Sequence, residues 1–183
     1  MTIQIPEDNR ILYFERDRDA FRFLSHFHPA AIELDGFVWP SAEHAYQSHK
    51  SLDRDYVQAI REAESPGKAK RLASYPAKRS WFIQHDKKPR PDWNDVKLDI
   101  MRRIDLAKFT QNDDLRELLL ATGDAQLVED SQSEPFWGIG KDGKGSNWAG
   151  RVLMEIREKL RRTRSHGFGT PLNNATTRQI MVP

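Results

Sequence analysis

The chain has 183 residues, 31% charged and 38% hydrophobic, with 29 lysines and arginines against 27 acidic residues and a net charge of +2. That length suits one domain with a proper core, and the near-neutral balance argues against a surface dedicated to coating DNA, leaving room only for a local basic groove. Cysteine is absent, which removes disulfides, thiol chemistry and cysteine-based zinc sites and suits a reducing compartment. The opening Met-Thr-Ile-Gln-Ile-Pro has no signal pattern, and no apolar run is long enough to span a bilayer, so a cytoplasmic protein without membrane contact is expected.

Residues 11–15 read as a short strand. Residues 31–39 alternate around Asp35-Gly36, the strongest short hairpin signal. Pro40-Ser41 stops that strand, and Ser41 caps a helix over 42–51. A second helix covers 54–63, with Tyr56, Ile60 and Ala63 inward. Ser65-Pro66 opens a short basic helix. Three prolines make 74–91 an irregular loop. Asp92 caps the longest helix, 93–109, whose Trp93, Val96, Ile100, Ile104 and Ala107 recur at helical spacing. A further helix runs from Asn112 or Asp113 to Thr122 and stops at Gly123. Residues 125–129 are a strand candidate, and 147–162 form the last helix, with Val152, Leu153, Ile156 and Leu160 on one face. Residues 1–162 make up the domain and 163–183 a flexible tail. The expected class is α+β: a compact, mainly helical domain with a small antiparallel sheet.

The helix after Ser41 is poor in leucine and isoleucine, so it either lies on the surface or lines a polar pocket. Glu43, Gln47 and Lys50 lie at i, i+4 and i+7 and share one face, with Tyr46 alongside. His26, His28, His44 and His49 invite a metal reading, but His44 and His49 are five apart and no HExxH occurs, so none is expected. Basic clusters at Lys68-Lys70-Arg71, Lys78-Arg79 and Lys87-Lys88-Arg90 alternate with Trp81, Phe82 and Trp93, a pattern suited to phosphate and base stacking.

Residues 135–148 carry Gly138, Gly140, Gly143, Gly145, Lys141 and Lys144 ahead of a helix opening near Asn147. Glycine lets amides approach a ligand and a helix N-terminus favours anions, so this loop is a candidate phosphate cradle walled by Trp137. Its literal GxGxxG lacks a βαβ context, and Gly145 stands where a Walker loop needs Ser or Thr, so neither signature applies. Without a GxSxG or a cysteine nucleophile, the chemistry available is that of carboxylates, lysines and histidines. Glu43, Glu129 and Asp130 are the acidic candidates for glycosidic bond cleavage, and a lysine of lowered pKa could instead attack a sugar C1 as an imine.

Taken in order, Phe23-Leu-Ser-His-Phe27, Trp39-Pro-Ser-Ala-Glu43-His44-Ala-Tyr46-Gln47 with Lys50, Ser65-Pro66 to Lys70, Arg90-Pro-Asp92-Trp93 with Lys97 and Met101, Lys108-Phe109, Leu127-Val128-Glu129, Phe136-Trp137-Gly138-Ile-Gly140 and Gly145-Ser-Asn147 resemble the YbiA-like, or NADAR, superfamily over residues 12–160. The resemblance implies an N-glycosidase that cleaves the ribosyl C–N bond of phosphorylated riboflavin-pathway intermediates to give ribose 5-phosphate and a pyrimidine. Other members act on ADP-ribose conjugates, including removal of ADP-ribose from guanine. Neither a metal nor another cofactor is implied. His26 departs from the family, which usually has asparagine there. Ser131-Gln-Ser-Glu134 also shifts the placement of a family carboxylate.

On that resemblance Glu43 is expected to stabilise the ribosyl centre or position water, with Lys70 or Lys50 contacting phosphate or acting as the amine nucleophile. Trp93 and Trp137 would stack on the base or wall the pocket, and the amides at Gly138 and Gly140, with Asn147, would hold anionic oxygens. Asp130 or Glu134 would bind ribose hydroxyls, and His44, Gln47 and Lys97 would complete the substrate contacts. The expected partner is a small phosphorylated ribosyl compound. An ADP-ribosylated nucleotide or nucleic acid is the alternative ligand, and a non-catalytic ADP-ribose or NAD reader the alternative function. All of this places the acidic helix and the glycine loop across one cavity from each other.

Overall fold

The computed structural model describes residues 4–14 and 20–167, with side chains to 164. Asp35 and Gly36 take φ of +53° and +79°, the left-handed pair that a two-residue hairpin turn requires. That turn joins β2 (Ile32–Leu34) to β3 (Phe37–Trp39) in antiparallel register, Ile32 opposite Trp39. Beside this expected sheet is a second pairing. β1 (Arg10–Tyr13) runs parallel to β4 (Gln126–Glu129), Ile11 against Leu127 and Tyr13 against Glu129. A parallel pair needs a long crossover between its strands, so local sequence pattern does not announce it. Glu15, assigned above to the first strand, lies outside the described residues.

The Ser41 hydroxyl accepts from the His44 amide and starts α1 (Ala42–Ser48), the cap read from the sequence, although the helix ends three residues short of 51. α2 (Arg54–Arg61) is capped by Asp53, and α3 (Pro66–Leu72) by Ser65 with proline in its first turn. The proline-rich stretch is not wholly irregular. Ser80 accepts from the Ile83 amide and caps one turn of helix, α4 (Trp81–Gln84), whose Trp81 and Phe82 are buried with Tyr56 and Ile60. These two aromatics are therefore core and not a stacking surface. α5 (Trp93–Gln111) starts beside Asp92, whose carboxylate is held by Arg90 at 2.6 and 2.7 Å instead of bonding the helix amides. α6 is Asp113–Ala121 and α7 is Trp148–Gly167. α7 continues five residues past the end read from the sequence, so residues 163–167 are helical, and the rest of the expected tail lies outside the described residues.

The main core gathers Ile11, Ile32, Trp39, Ile104, Leu119, Leu127 and Val152 between the strands and α1, α5, α6 and α7. Each such side chain contributes roughly 1.5–3 kcal/mol on burial. The position of α1 is decisive: all seven of its residues are buried. A helix this polar reaches the interior only where its polar groups meet partners or a cavity. Among the described residues, no helix is long and apolar enough to cross a membrane.

Candidate active site

A cavity of about 290 Å3 opens beside α1. From α1 and the residues just after it come Glu43, Tyr46, Gln47 and Lys50; from α3 and its end, Lys70 and Ser74; from α5, Trp93, Lys97 and Met101. The end of β4 and the loop after it supply Glu129, Ser131, Glu134, Phe136 and Trp137, and the loop after a turn of 3-10 helix at Arg22–Leu24 supplies Ser25, His26 and Phe27. The i, i+4, i+7 face read from the sequence is thus the wall of the cavity.

Glu43 is buried and its Oε1 accepts from Gln47 Nε2 at 2.7 Å. Gln47 Oε1, also buried, has no partner among the described residues. A buried acceptor without a donor costs about 1–3 kcal/mol, so this carbonyl is poised to take a donor from a bound molecule. Burial lowers the Lys50 ammonium; Glu43 and Glu134 pull it back up and Lys70 and Lys97 push it down, leaving it below the ordinary lysine value. Its Nζ lies 5.7 Å from the Trp93 ring centre. Tyr46 packs against both Trp93 and Trp137, with ring centres 5.1 and 5.6 Å apart, which makes one aromatic wall. Lys97 stands 4.1 Å over Phe136 and Lys70 5.5 Å over Phe27, placing cations at the aromatic rim. The result is a carboxylate and an amine inside, flat rings on one side and positive charge around them.

The glycines of the 135–148 loop do not line the cavity, although its Phe136 and Trp137 do. Its amides donate to the chain itself: Gly138 to Glu134 O, Ile139 to Glu129 O, Gly140 to Ser131 O, Gly145 to Ile139 O and Asn147 to Gly138 O, all between 2.7 and 3.1 Å. The Asn147 side chain is equally committed, Nδ2 donating to Leu127 O and Oδ1 accepting from the Glu129 amide, each at 2.9 Å. Gly138, Gly140 and Asn147 are therefore not a phosphate cradle; their work is to dock the loop on β4. The glycines have a different cause. A Cβ on Gly138 would meet Glu129 O at 2.6 Å, and one on Gly145 would meet Pro135 O at 2.6 Å. Backbone packs on backbone here, and no side chain fits.

His44 is also corrected. Its imidazole bonds Ser41 Oγ at 2.8 Å and Ala63 O at 3.1 Å, tying α1 to the end of α2, away from the cavity. Asp130 does not line the cavity; its carboxylate accepts from Gln132, and its neighbours Glu129 and Glu134 take the wall positions. Glu43, Lys50, Lys70, Gln47, Trp93, Lys97, Glu134 and Trp137 do come together as expected. The contributions of Tyr13, Ser25 and His26 went unread because the β1–β4 pairing and the loop before β2 bring them in from distant sequence. Asp105 and Lys108 left one signal, charges on a stripe that otherwise reads Trp93, Lys97, Met101.

The cavity thus pairs a buried carboxylate and an amine of lowered pKa with aromatic walls and a cationic rim. The NADAR domain model matches residues 12–161, and the chain belongs to that family. It is 39% identical over 158 residues to N-glycosidase YbiA of Escherichia coli strain K12, covering 86% of this chain and 93% of that protein. An N-glycosidase of Nostoc punctiforme is 35% identical, with 82% and 92% covered. A riboflavin biosynthesis protein of Vibrio vulnificus is 39% identical over 149 residues, which are 81% of this chain but 38% of that larger protein. The NMR structure of E. coli YbiA superposes with a TM-score of 0.73 at 32% identity, over 95% of this chain and all of that one.

Proposed function

We propose that this N-glycosidase hydrolyses the ribosyl C–N bond of a phosphorylated ribosylamino-pyrimidine and releases ribose 5-phosphate. The observation that carries the reading is the placement of Glu43 and Lys50 on one wall of a cavity whose other walls are aromatic and cationic. Neutral Lys50 forms a bond from Nζ to the sugar C1 as the bond from C1 to the amino nitrogen of the pyrimidine breaks. The electron pair leaves with that nitrogen, which takes up the proton Nζ gives up. The C1–O4 bond then opens, O4 takes the remaining Nζ proton and Nζ and C1 are left as an imine; water adds to C1, its oxygen stays as the aldehyde of the released sugar phosphate and its two hydrogens return to Nζ. Glu43 stabilises the positive charge that builds at C1 in both halves. Trp93 and Trp137 hold the pyrimidine, Lys70 and Lys97 the phosphate, Gln47 a donor of the base, and Glu134 the ribose hydroxyls.

Size favours this substrate over an ADP-ribose conjugate. Ligand pockets run from roughly 300 to 1,000 Å3, and about 290 Å3 holds one ribosyl-pyrimidine phosphate, whereas an ADP-ribosyl group would extend out of the mouth. A product assay against ribosylaminopyrimidine phosphate and ADP-ribosylated guanosine, side by side, decides between them. Free ribose 5-phosphate from the first is expected. Faster cleavage of the second would overturn the substrate assignment, and tight binding without any product would make the chain a reader and not an enzyme.

A further inference from the structure

His26 stands at the cavity wall, and behind it lies a buried group of charges that the glycosidase reading leaves without a task. His26 Nε2 is 2.7 Å from Asp105 Oδ1, and the Asp105 side chain is fully buried while His26 keeps 12% exposure. The other imidazole nitrogen, Nδ1, has no hydrogen-bond partner among the described residues. A ring clamped at one nitrogen by a buried carboxylate presents the other nitrogen in a fixed direction and protonation pattern, the arrangement by which a carboxylate orients a catalytic histidine.

The loop that carries the ring is itself pinned. Buried Lys108 Nζ donates to Phe23 O at 2.7 Å and Ser25 O at 2.8 Å, and His26 O accepts from the Glu43 amide at 3.2 Å. The imidazole is thereby fixed to the same helix turn as Glu43. Asp105 lies one turn beyond the cavity-lining Met101 on α5. Its Oδ1 is given to the histidine and its Oδ2 has no hydrogen-bond partner among the described residues, while its charge also balances that of buried Lys108.

We propose that His26, oriented by Asp105, is the catalytic residue that carries the proton from the attacking Lys50 to the departing amino nitrogen of the pyrimidine. The inference rests on the glycosidase reading and gives it a proton route. As Nζ bonds to C1 it sheds a proton, the C1–N bond breaks with its electrons going to nitrogen, and protonated His26 Nδ1 donates there. The neutral ring then takes the proton from Nζ, so the imidazole ends as it began. Asp105 is a positioning residue: it touches no substrate, it orients the ring and it favours the charged form of His26. The groups facing His26 are Asp105 and Lys108 from α5 and Glu43 from α1. Burial lowers the imidazole, Asp105 outweighs it, Lys108 subtracts and Glu43 adds, so the net is raised above the ordinary histidine value.

The test is the pH dependence of kcat/KM for the full chain and two variants of similar size, His26→Asn and Asp105→Asn. His26→Asn should lower kcat by about 100-fold or more, the usual contribution of a positioned acid-base group, with KM nearly unchanged. It should also lose the alkaline fall of the profile, because no group need stay protonated. Asp105→Asn should keep a bell-shaped profile whose optimum moves to lower pH, since the carboxylate that raises His26 is gone. Wild-type kcat and profile in His26→Asn would overturn the proposal alone. Absence of product from the wild-type chain would overturn the glycosidase reading and this proposal with it.

Discussion

The α1 wall and the glycine loop carry the two densest clusters of polar signals in the sequence, and the structure uses them in opposite ways. On the α1 wall some polar capacity is left open to the cavity: Gln47 Oε1 has no partner among the described residues, and burial holds Lys50, just past the helix, below its ordinary value. In the loop each of the amides expected to bind an anion already has an acceptor in the chain. A site needs groups left over after folding, and these amides are already used. The loop still matters indirectly, because by docking on β4 it fixes the segment that carries Glu129, Ser131 and Glu134 to the cavity.

The contrast is sharpest at the two groups placed on the reacting sugar. Glu43→Gln and Lys50→Met should each cut turnover at least about a thousandfold with the fold intact, measured by ribose 5-phosphate release and circular dichroism. Wild-type turnover in either would remove that residue from the mechanism. Gly145→Ala should instead cost about 3 kcal/mol of stability through a backbone clash, read from urea unfolding, and should leave the KM of the folded fraction alone. Asn147→Ala, which strips two hydrogen bonds between the loop and β4, should cost about 2 kcal/mol with KM unchanged. A large rise in KM in Asn147→Ala would restore the loop as a ligand cradle.

A smaller effect concerns pH. Lys50 must be neutral to attack, so activity should climb with pH on the acid side. The Glu134 carboxylate raises the Lys50 value; Glu134→Gln removes it, the amine loses its proton more readily, and the pH optimum should move to lower pH. A move to higher pH would contradict the assignment of Lys50. The smallest change is expected for the double variant Lys141→Ala and Lys144→Ala, both exposed in the loop, whose KM should stay within about twofold of wild type because the loop binds no phosphate.

Much of this architecture was legible in the residues. Ser41, Ser65-Pro66 and Asp35-Gly36 announce their caps and turn through local chemistry, and the shared face of Glu43, Gln47 and Lys50 follows from helix geometry alone. What was not legible depends on distance in sequence. The parallel β1–β4 pair, the His26–Asp105 contact across 79 positions and the burial of α1 arise only when separate elements meet. The glycine loop misled for a related reason. Glycine marks a close approach of something to the backbone, and sequence does not say whether that something is a phosphate or Glu129 O.

The site as a whole is tested most directly by trapping the sugar on the enzyme. Borohydride added during turnover of ribosylaminopyrimidine phosphate should reduce the lysine–sugar adduct, and mass spectrometry of the digested chain should find ribose 5-phosphate fixed to Lys50, with none in Lys50→Met. An adduct on another lysine, or undiminished turnover without any adduct, would contradict the placing of an amine nucleophile on the α1 wall.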